Sequence, residues 1–280
     1  MNFDYNDPLI AAIREETRFI NLMDDGYAQI FFYDNTRDTQ IILRTIMNKP
    51  DLEVKSVEIQ KRFFGPDSSH SVVFDVYAVD SDGTQYDIEI QNDSEGASPY
   101  RAAFNSAMLT VNTLMKREHH TELARRERVV IFITLHDVLK GNLPVYTIKR
   151  KCIETGRIFE DGASIIYVNT AHKDYTTAIG KLIHDFRCRK PEELYSQEFA
   201  ETTSRIYKDK GGKYMKSLDA FEARITATTE ARVTAMAEAR VSKNIALELL
   251  KLGQNALEDI AQACHMSIEQ VQQLAASIKA

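Results

Sequence analysis

Cysteine is scarce in this chain. Cys152, Cys188 and Cys264 are odd in number, widely spaced and in no metal-ligand pattern. That excludes a disulfide framework and a thiolate metal centre, and it reads as reduced thiols in a cytoplasmic protein. No apolar run is long enough to span a membrane. The start, MNFDYNDPLI, lacks a basic stretch and an apolar core, so it is not read as a secretory signal. An excess of positive charge is also missing: the formal net charge is −6. Such a balance does not announce a nucleic-acid binder. It does not exclude one, because a carboxylate metal site adds negative charge and basic patches are local. What remains is ordinary for a globular protein, with 44% hydrophobic and 27% charged residues. The 280 residues suffice for one large domain, or one domain with an appendage.

The chain is organised around Val72 to Gln91, VVFDVYAVDSDGTQYDIEIQ. Val72 to Val79 is apolar at nearly every position except Asp75, as in a strand buried on both faces. A carboxylate there costs several kcal/mol unless something pairs with it. Tyr86 to Gln91 alternates, with Ile88 and Ile90 on one face and Asp87, Glu89 and Gln91 on the other. Asp82-Gly83 is a hairpin-turn signal between the two runs. A two-residue loop would pair Asp75 with Ile90 and turn Glu89 to the opposite face. An odd loop, Ser81 to Gly83 or Asp80 to Thr84, would set Asp75 directly across from Glu89. Opposed carboxylates repel, and a divalent cation such as Mg²⁺ removes that conflict. The spacing therefore supports a metal site with Gln91 at its rim. It equally permits an exposed acidic strand face with Asp75 at a sheet edge.

Asp75, followed after a hairpin by Glu89-Ile90-Gln91, resembles the Asp…Glu-x-Lys signature of the PD-(D/E)XK nuclease superfamily. The nearest likeness is to its recombination-promoting nuclease/putative transposase branch, where Gln commonly stands in for the Lys. The resemblance extends to an upstream helix with Asp24, Tyr27 and Phe31, and to Arg101 downstream. It covers roughly residues 20 to 190, plus a helical tail of familiar type. It implies a Mg²⁺-dependent DNA endonuclease, with Mn²⁺ as an alternative ion, serving recombination, mobile elements or defence. Asp75, Glu89 and Gln91 would form the catalytic site, with Asp75 and Glu89 holding the metal. Gln91 cannot act as a cation or a base, only orient water or a phosphate oxygen. Asp24 and Asp25 would be accessory, although helix capping explains Asp24 as well. Arg101 would approach the scissile phosphate or support the acidic pair, where a surface arginine is the plain alternative. The Lys usual after the upstream aromatic is Ala28 here, which removes any role for it. The rival expectation is a weak or inactive DNA-binding or assembly protein that retains the nuclease fold.

Along the chain, helical spacing is clear from Asp24 to Asn48, and Val54, Val57 and Ile59 suggest a first strand. Tyr100 to Met115 reads as an amphipathic helix with Tyr100, Phe104, Met108, Val111 and Met115 on one side. Lys116, Arg117, Arg125, Arg126 and Arg128 follow closely, as a phosphate-tracking surface or a solvated, salt-bridged face. Val129 to Leu135 predicts a buried central strand, Val145 to Ile148 and Ile165 to Val168 two more, and Tyr175 to Phe186 a helix. The expected fold is α/β: a central mixed β-sheet flanked by helices, a restriction-endonuclease-like core, with a C-terminal helical tail. Expected segments are an N-terminal arm (1–23), the nuclease-like domain (24–190), a basic linker or helix (191–216), a long helix (217–253) and a small helix-turn-helix-like tail (254–280). The long helix repeats Glu-Ala-Arg with period eight and offers a surface for self-association. Expected partners are DNA and a second copy of the chain, and no membrane.

Overall fold

The computed structural model describes residues 21–65, 71–92, 95–114, 119–208, 239–253 and 256–279. Residues 21–208 lie in one compact unit, Phe19–Phe221, and residues 239–279 in another.

The first unit is built on a six-stranded sheet of order β1-β2-β3-β4-β6-β5. Its strands are β1 (Val54–Phe64), β2 (Ser71–Asp80), β3 (Gln85–Gln91), β4 (Arg128–Thr134), β5 (Val145–Ile148) and β6 (Ala163–Asn169). β1, β2 and β3 form an antiparallel meander; β3, β4 and β6 run parallel; β5 closes the edge antiparallel to β6. The sheet is therefore mixed, as expected. All seven residues of β4 are buried, which suits a central strand covered on both faces. α1 (Asp25–Phe32) and α2 (Thr36–Met47) precede the meander and pack on β1. α3 (Pro99–Thr113) makes the crossover from β3 to β4 and lies over β1, β3, β4 and β6. α4 (Ala178–Arg187) and α5 (Gln197–Lys208) follow β6.

Three expectations change. The side of α3 carrying Tyr100, Phe104 and Val111 faces outward, with these residues 87%, 41% and 49% exposed. Its buried side is Ala102, Asn105, Ser106 and Leu109, with Met108. Arg101 is the only charge in this helix, so no polar face told the two sides apart. Second, α5, within the segment expected as a basic linker or helix outside the domain, is a helix that belongs to the domain. Phe199 is buried and meets Phe31 edge to face at 5.2 Å, and Arg37 pairs with Glu201 at 3.0 Å. The hydroxyl of Tyr27 donates to Thr203 Oγ1 at 2.9 Å. Third, Leu22 and Met23, expected in the arm, are core residues.

In the second unit, residues 239–252 are helical, followed by α6 (Leu257–Ala263) and α7 (Ile268–Lys279). Ala246, Ile260, Ala261, Cys264 and Val271 form its small core. Ser267 and Gln270 make a reciprocal capping box: Gln270 N–H donates to Ser267 Oγ at 3.3 Å, and Ser267 N–H to Gln270 Oε1 at 2.9 Å. Much of the Glu-Ala-Arg repeat lies outside the described residues.

Candidate metal centre

The turn between β2 and β3 decides which side chains meet. Asp80 N–H donates to the Thr84 carbonyl and Gly83 N–H to the Asp80 carbonyl, both at 3.1 Å. The loop is thus three residues, Ser81-Asp82-Gly83, and Gly83 takes the left-handed conformation (φ 82°) that such loops require. The Asp80 side chain selects it. Oδ1 accepts the N–H groups of Asp82 (3.0 Å) and Thr84 (2.8 Å), and Oδ2 accepts the buried Tyr86 hydroxyl at 2.8 Å. From this loop the register runs Val79↔Gln85, Tyr77↔Asp87, Val76↔Ile88. One step further sets Asp75 across from Glu89, so the odd-loop alternative is the one realised.

The β2–β3 ladder stops at that step. Beyond Val76↔Ile88 the two carboxylates take over the backbone donors. Glu89 Oε1 accepts Asp75 N–H at 3.4 Å, and Asp75 Oδ2 accepts Ile90 N–H at 3.2 Å. Strand alternation also breaks here. Val72 and Phe74 join the hydrophobic cluster beneath α3, and so do Tyr77 and Val79, which have the opposite parity. A regular strand places such residues on opposite faces. β2 therefore switches faces around Asp75, whose carboxylate bonds sideways, to β3 through Ile90 and to β1 through Gln60.

Electrostatics follow from the burial. Glu89 is fully buried, and its pKa is pushed up to about 7, first by desolvation and then by the charge of Asp75. Burial also raises Asp75, against the opposing Ile90 N–H. Asp87, fully buried two residues before Glu89, is held well above the usual carboxylate range by desolvation and then by Glu89. Two residues one helical turn apart on α3 meet this face of β3. Arg101 pairs Nη2 with Glu89 Oε2 and donates Nη1 to the Gly96 carbonyl at 3.1 Å. Asn105 donates to Asp87 Oδ2 at 3.0 Å. Arg101 is therefore no plain surface arginine.

Gln91 lies at the rim, its amide 3.4 Å from Glu89 Oε2. Gly96 packs against it so closely that a Cβ there would collide with the Gln91 amide oxygen. Asp24 caps α1, accepting Gly26 N–H at 3.1 Å and Tyr27 N–H at 3.3 Å. The charge of Asp25 next to it reaches Asp75 and helps raise its pKa.

Of the basic run, Arg126 and Arg128 turn donors onto backbone carbonyls of their own domain. Arg128 is 2% exposed and gives Nη1 to the carbonyls of Leu123 (2.9 Å) and Arg126 (2.7 Å) and Nη2 to that of Asp161. It begins β4, and its buried Nη groups spend donors on nearby carbonyls. Arg126 donates Nη1 to the Thr113 carbonyl at 3.0 Å. Lys116, Arg117 and the Arg125 side chain lie outside the described residues.

Reasoning from sequence singled out neither Asp87, Asn105 nor Gln60. Asp87 shares the acidic face of β3, which was its only visible signal; Asn105 and Gln60 reach the site through tertiary contacts.

The donor set fits a hard divalent cation: buried Glu89 and half-buried Asp75, each destabilised as an anion by desolvation and by a neighbouring carboxylate, Asp75 acting on Glu89 and Asp25 on Asp75. Among the described residues no cluster of three or more His, Cys, Asp or Glu surrounds them. Mg²⁺ is commonly held by one or two carboxylates, with water and substrate oxygens completing its shell. Among the described residues, no helix is long and apolar enough to cross a membrane.

Comparison with curated proteins and with solved structures gives no match. Residues 23–182, more than half of the chain, match the family described as PD-(D/E)XK nuclease family transposase, and the chain belongs to that family.

Proposed function

We propose that the protein is a divalent-metal-dependent DNA endonuclease that hydrolyses phosphodiester bonds, with Mg²⁺ or Mn²⁺ as its ion. One observation carries this: Asp75 and Glu89 converge where the β2–β3 ladder ends, with Ile90 N–H on Asp75 and Asp75 N–H on Glu89. Asp75 and Glu89 would hold the cation. When bound, it supplies Lewis-acid stabilisation of phosphoryl oxygens and acidifies an attacking water. Arg101 holds Glu89 in place, and its partly exposed guanidinium can meet a phosphate oxygen. Gln91 carries no charge at any working pH, so its amide serves to orient rather than to transfer a proton. The charge of Asp25 adds to the need for a cation beside Asp75. Family membership supports DNA as the substrate.

Three features favour a catalytically weak, DNA-binding or assembly scaffold instead. Arg101 already neutralises Glu89, Gln91 stands at the Lys position of the superfamily signature, and Ala28 replaces the Lys usual after the upstream aromatic. Plasmid nicking separates the two. With Mg²⁺, the parent protein is expected to convert supercoiled DNA to the open form and Asp75→Ala to lose at least 100-fold in rate, as on the order of removal of a metal-centred contribution. Equal nicking by both proteins, or none by either, would contradict catalysis.

A further inference from the structure

We infer that Gln60, on the edge strand β1, is a positioning residue for the Asp75 carboxylate. The inference rests on the divalent-site reading for its functional meaning and on geometry for its substance.

Gln60 sits in the middle of an eleven-residue strand, yet its φ is 50°. The left-handed region costs an L-residue with an ordinary side chain on the order of 1–2 kcal/mol, and Gly or Asn bears it best. The register explains where the distortion falls. Ile59 pairs with Val76 and Lys61 with Phe74, so Gln60 lies opposite Asp75. Both strands change faces at this point. Glu58 lies across from Tyr77, and Lys61 Nζ sits 5.0 Å from the Tyr77 ring centroid, although residues 58 and 61 differ in parity. Lys61 also pairs with Glu58, as residues on one face would.

At the switch the Gln60 amide donates to Asp75 Oδ1 at 3.3 Å, while Ile90 N–H takes Oδ2 at 3.2 Å. Each oxygen of Asp75 is thus directed from a different strand. A glycine would fit the φ of residue 60 with less strain, but it would leave Oδ1 undirected. Side chains that orient a metal-binding carboxylate from behind typically change metal affinity 10- to 100-fold when removed.

Thermal denaturation of the full-length, metal-free protein tells whether Gln60 holds Asp75, and metal affinity tells positioning from a merely structural role. Gln60→Gly removes both the strain and the amide. In the parent background those effects offset one another; in an Asp75→Ala background only the relief of strain remains. The melting temperature is expected to shift upward by about 2–4 °C more in the second background than in the first. Equal shifts in both backgrounds would overturn the inference. Gln60→Asn tolerates the same φ but is one methylene too short to keep the contact, so it should follow Gln60→Gly. Calorimetric titration with Mn²⁺ adds the functional arm: both variants should bind about 10-fold more weakly than the parent. Variants that bind as tightly as the parent would also overturn it. A parent that binds no Mn²⁺ would defeat the divalent-site reading, while the melting comparison still decides whether Gln60 holds Asp75.

Discussion

Glu89 concentrates the tension of the site. It is fully buried, and its pKa stands at about 7 against an ordinary 4.5. The folded protein therefore holds this proton more tightly than the unfolded chain does. Between those two values the native state carries more protons, so stability falls as pH rises through the window. The stabilisation is complete below about pH 4.5 and lost above about 7. Asp75 and Asp87, both raised by burial, push in the same direction. The melting temperature of metal-free protein should accordingly drop from pH 5 to pH 8, by several degrees. Glu89→Gln should reduce that slope, melt no lower than the parent at pH 8 and still abolish cleavage. A Glu89→Gln protein with the parent's full slope would show that its carboxylate is not the source. The sequence displayed Asp75 and Glu89 plainly. The resemblance offered Arg101 as a support of the acidic pair, but residue spacing alone did not separate that from a solvated cation, because an ion pair across 12 residues depends on how α3 lies over β3. Arg128 is the reverse case: in the sequence it belongs to a basic run, and only the burial of β4 withdraws it from a DNA-facing surface.

At the scale of elements, the hairpin sets the chemistry. Asp82-Gly83 announced a turn, but not whether the loop holds two residues or three. That choice belongs to Asp80, whose carboxylate binds two turn N–H groups and the Tyr86 hydroxyl. Asp80→Ala removes the acceptor of a buried hydroxyl and of two turn N–H groups and should destabilise the domain by about 2 kcal/mol, or roughly 5 °C in melting temperature. An unchanged melting curve would mean the register is set elsewhere. α3 shows why helix orientation was not legible. Its apolar side chains are spread around the axis, and the sheet beneath it offers Asp87 and Glu89 as well as aliphatic surface. Asn105 and Arg101 meet those carboxylates, and Tyr100 and Phe104 are left outside. Helical spacing alone would have buried the larger apolar residues.

For the molecule as a whole, the order of elements sufficed to foresee a mixed sheet with flanking helices. Val129 to Leu135 was legible as the central strand because Val129 to Ile133 is an unbroken apolar run of β-branched and aromatic residues. The domain's far end was less so. α5 is polar enough to pass for a linker, and its attachment depends on Phe199 and Arg37, contacts that composition does not reveal. The acidic net charge of −6 is compatible with the proposed endonuclease, because carboxylates that would hold a cation add negative charge.

The most direct test is a crystal soaked in Mn²⁺ and measured for anomalous scattering. A strong peak within coordination distance of the Asp75 and Glu89 carboxylates is expected. A map with no peak there, and with Arg101 still paired to Glu89 at saturating Mn²⁺, would contradict the divalent-site reading.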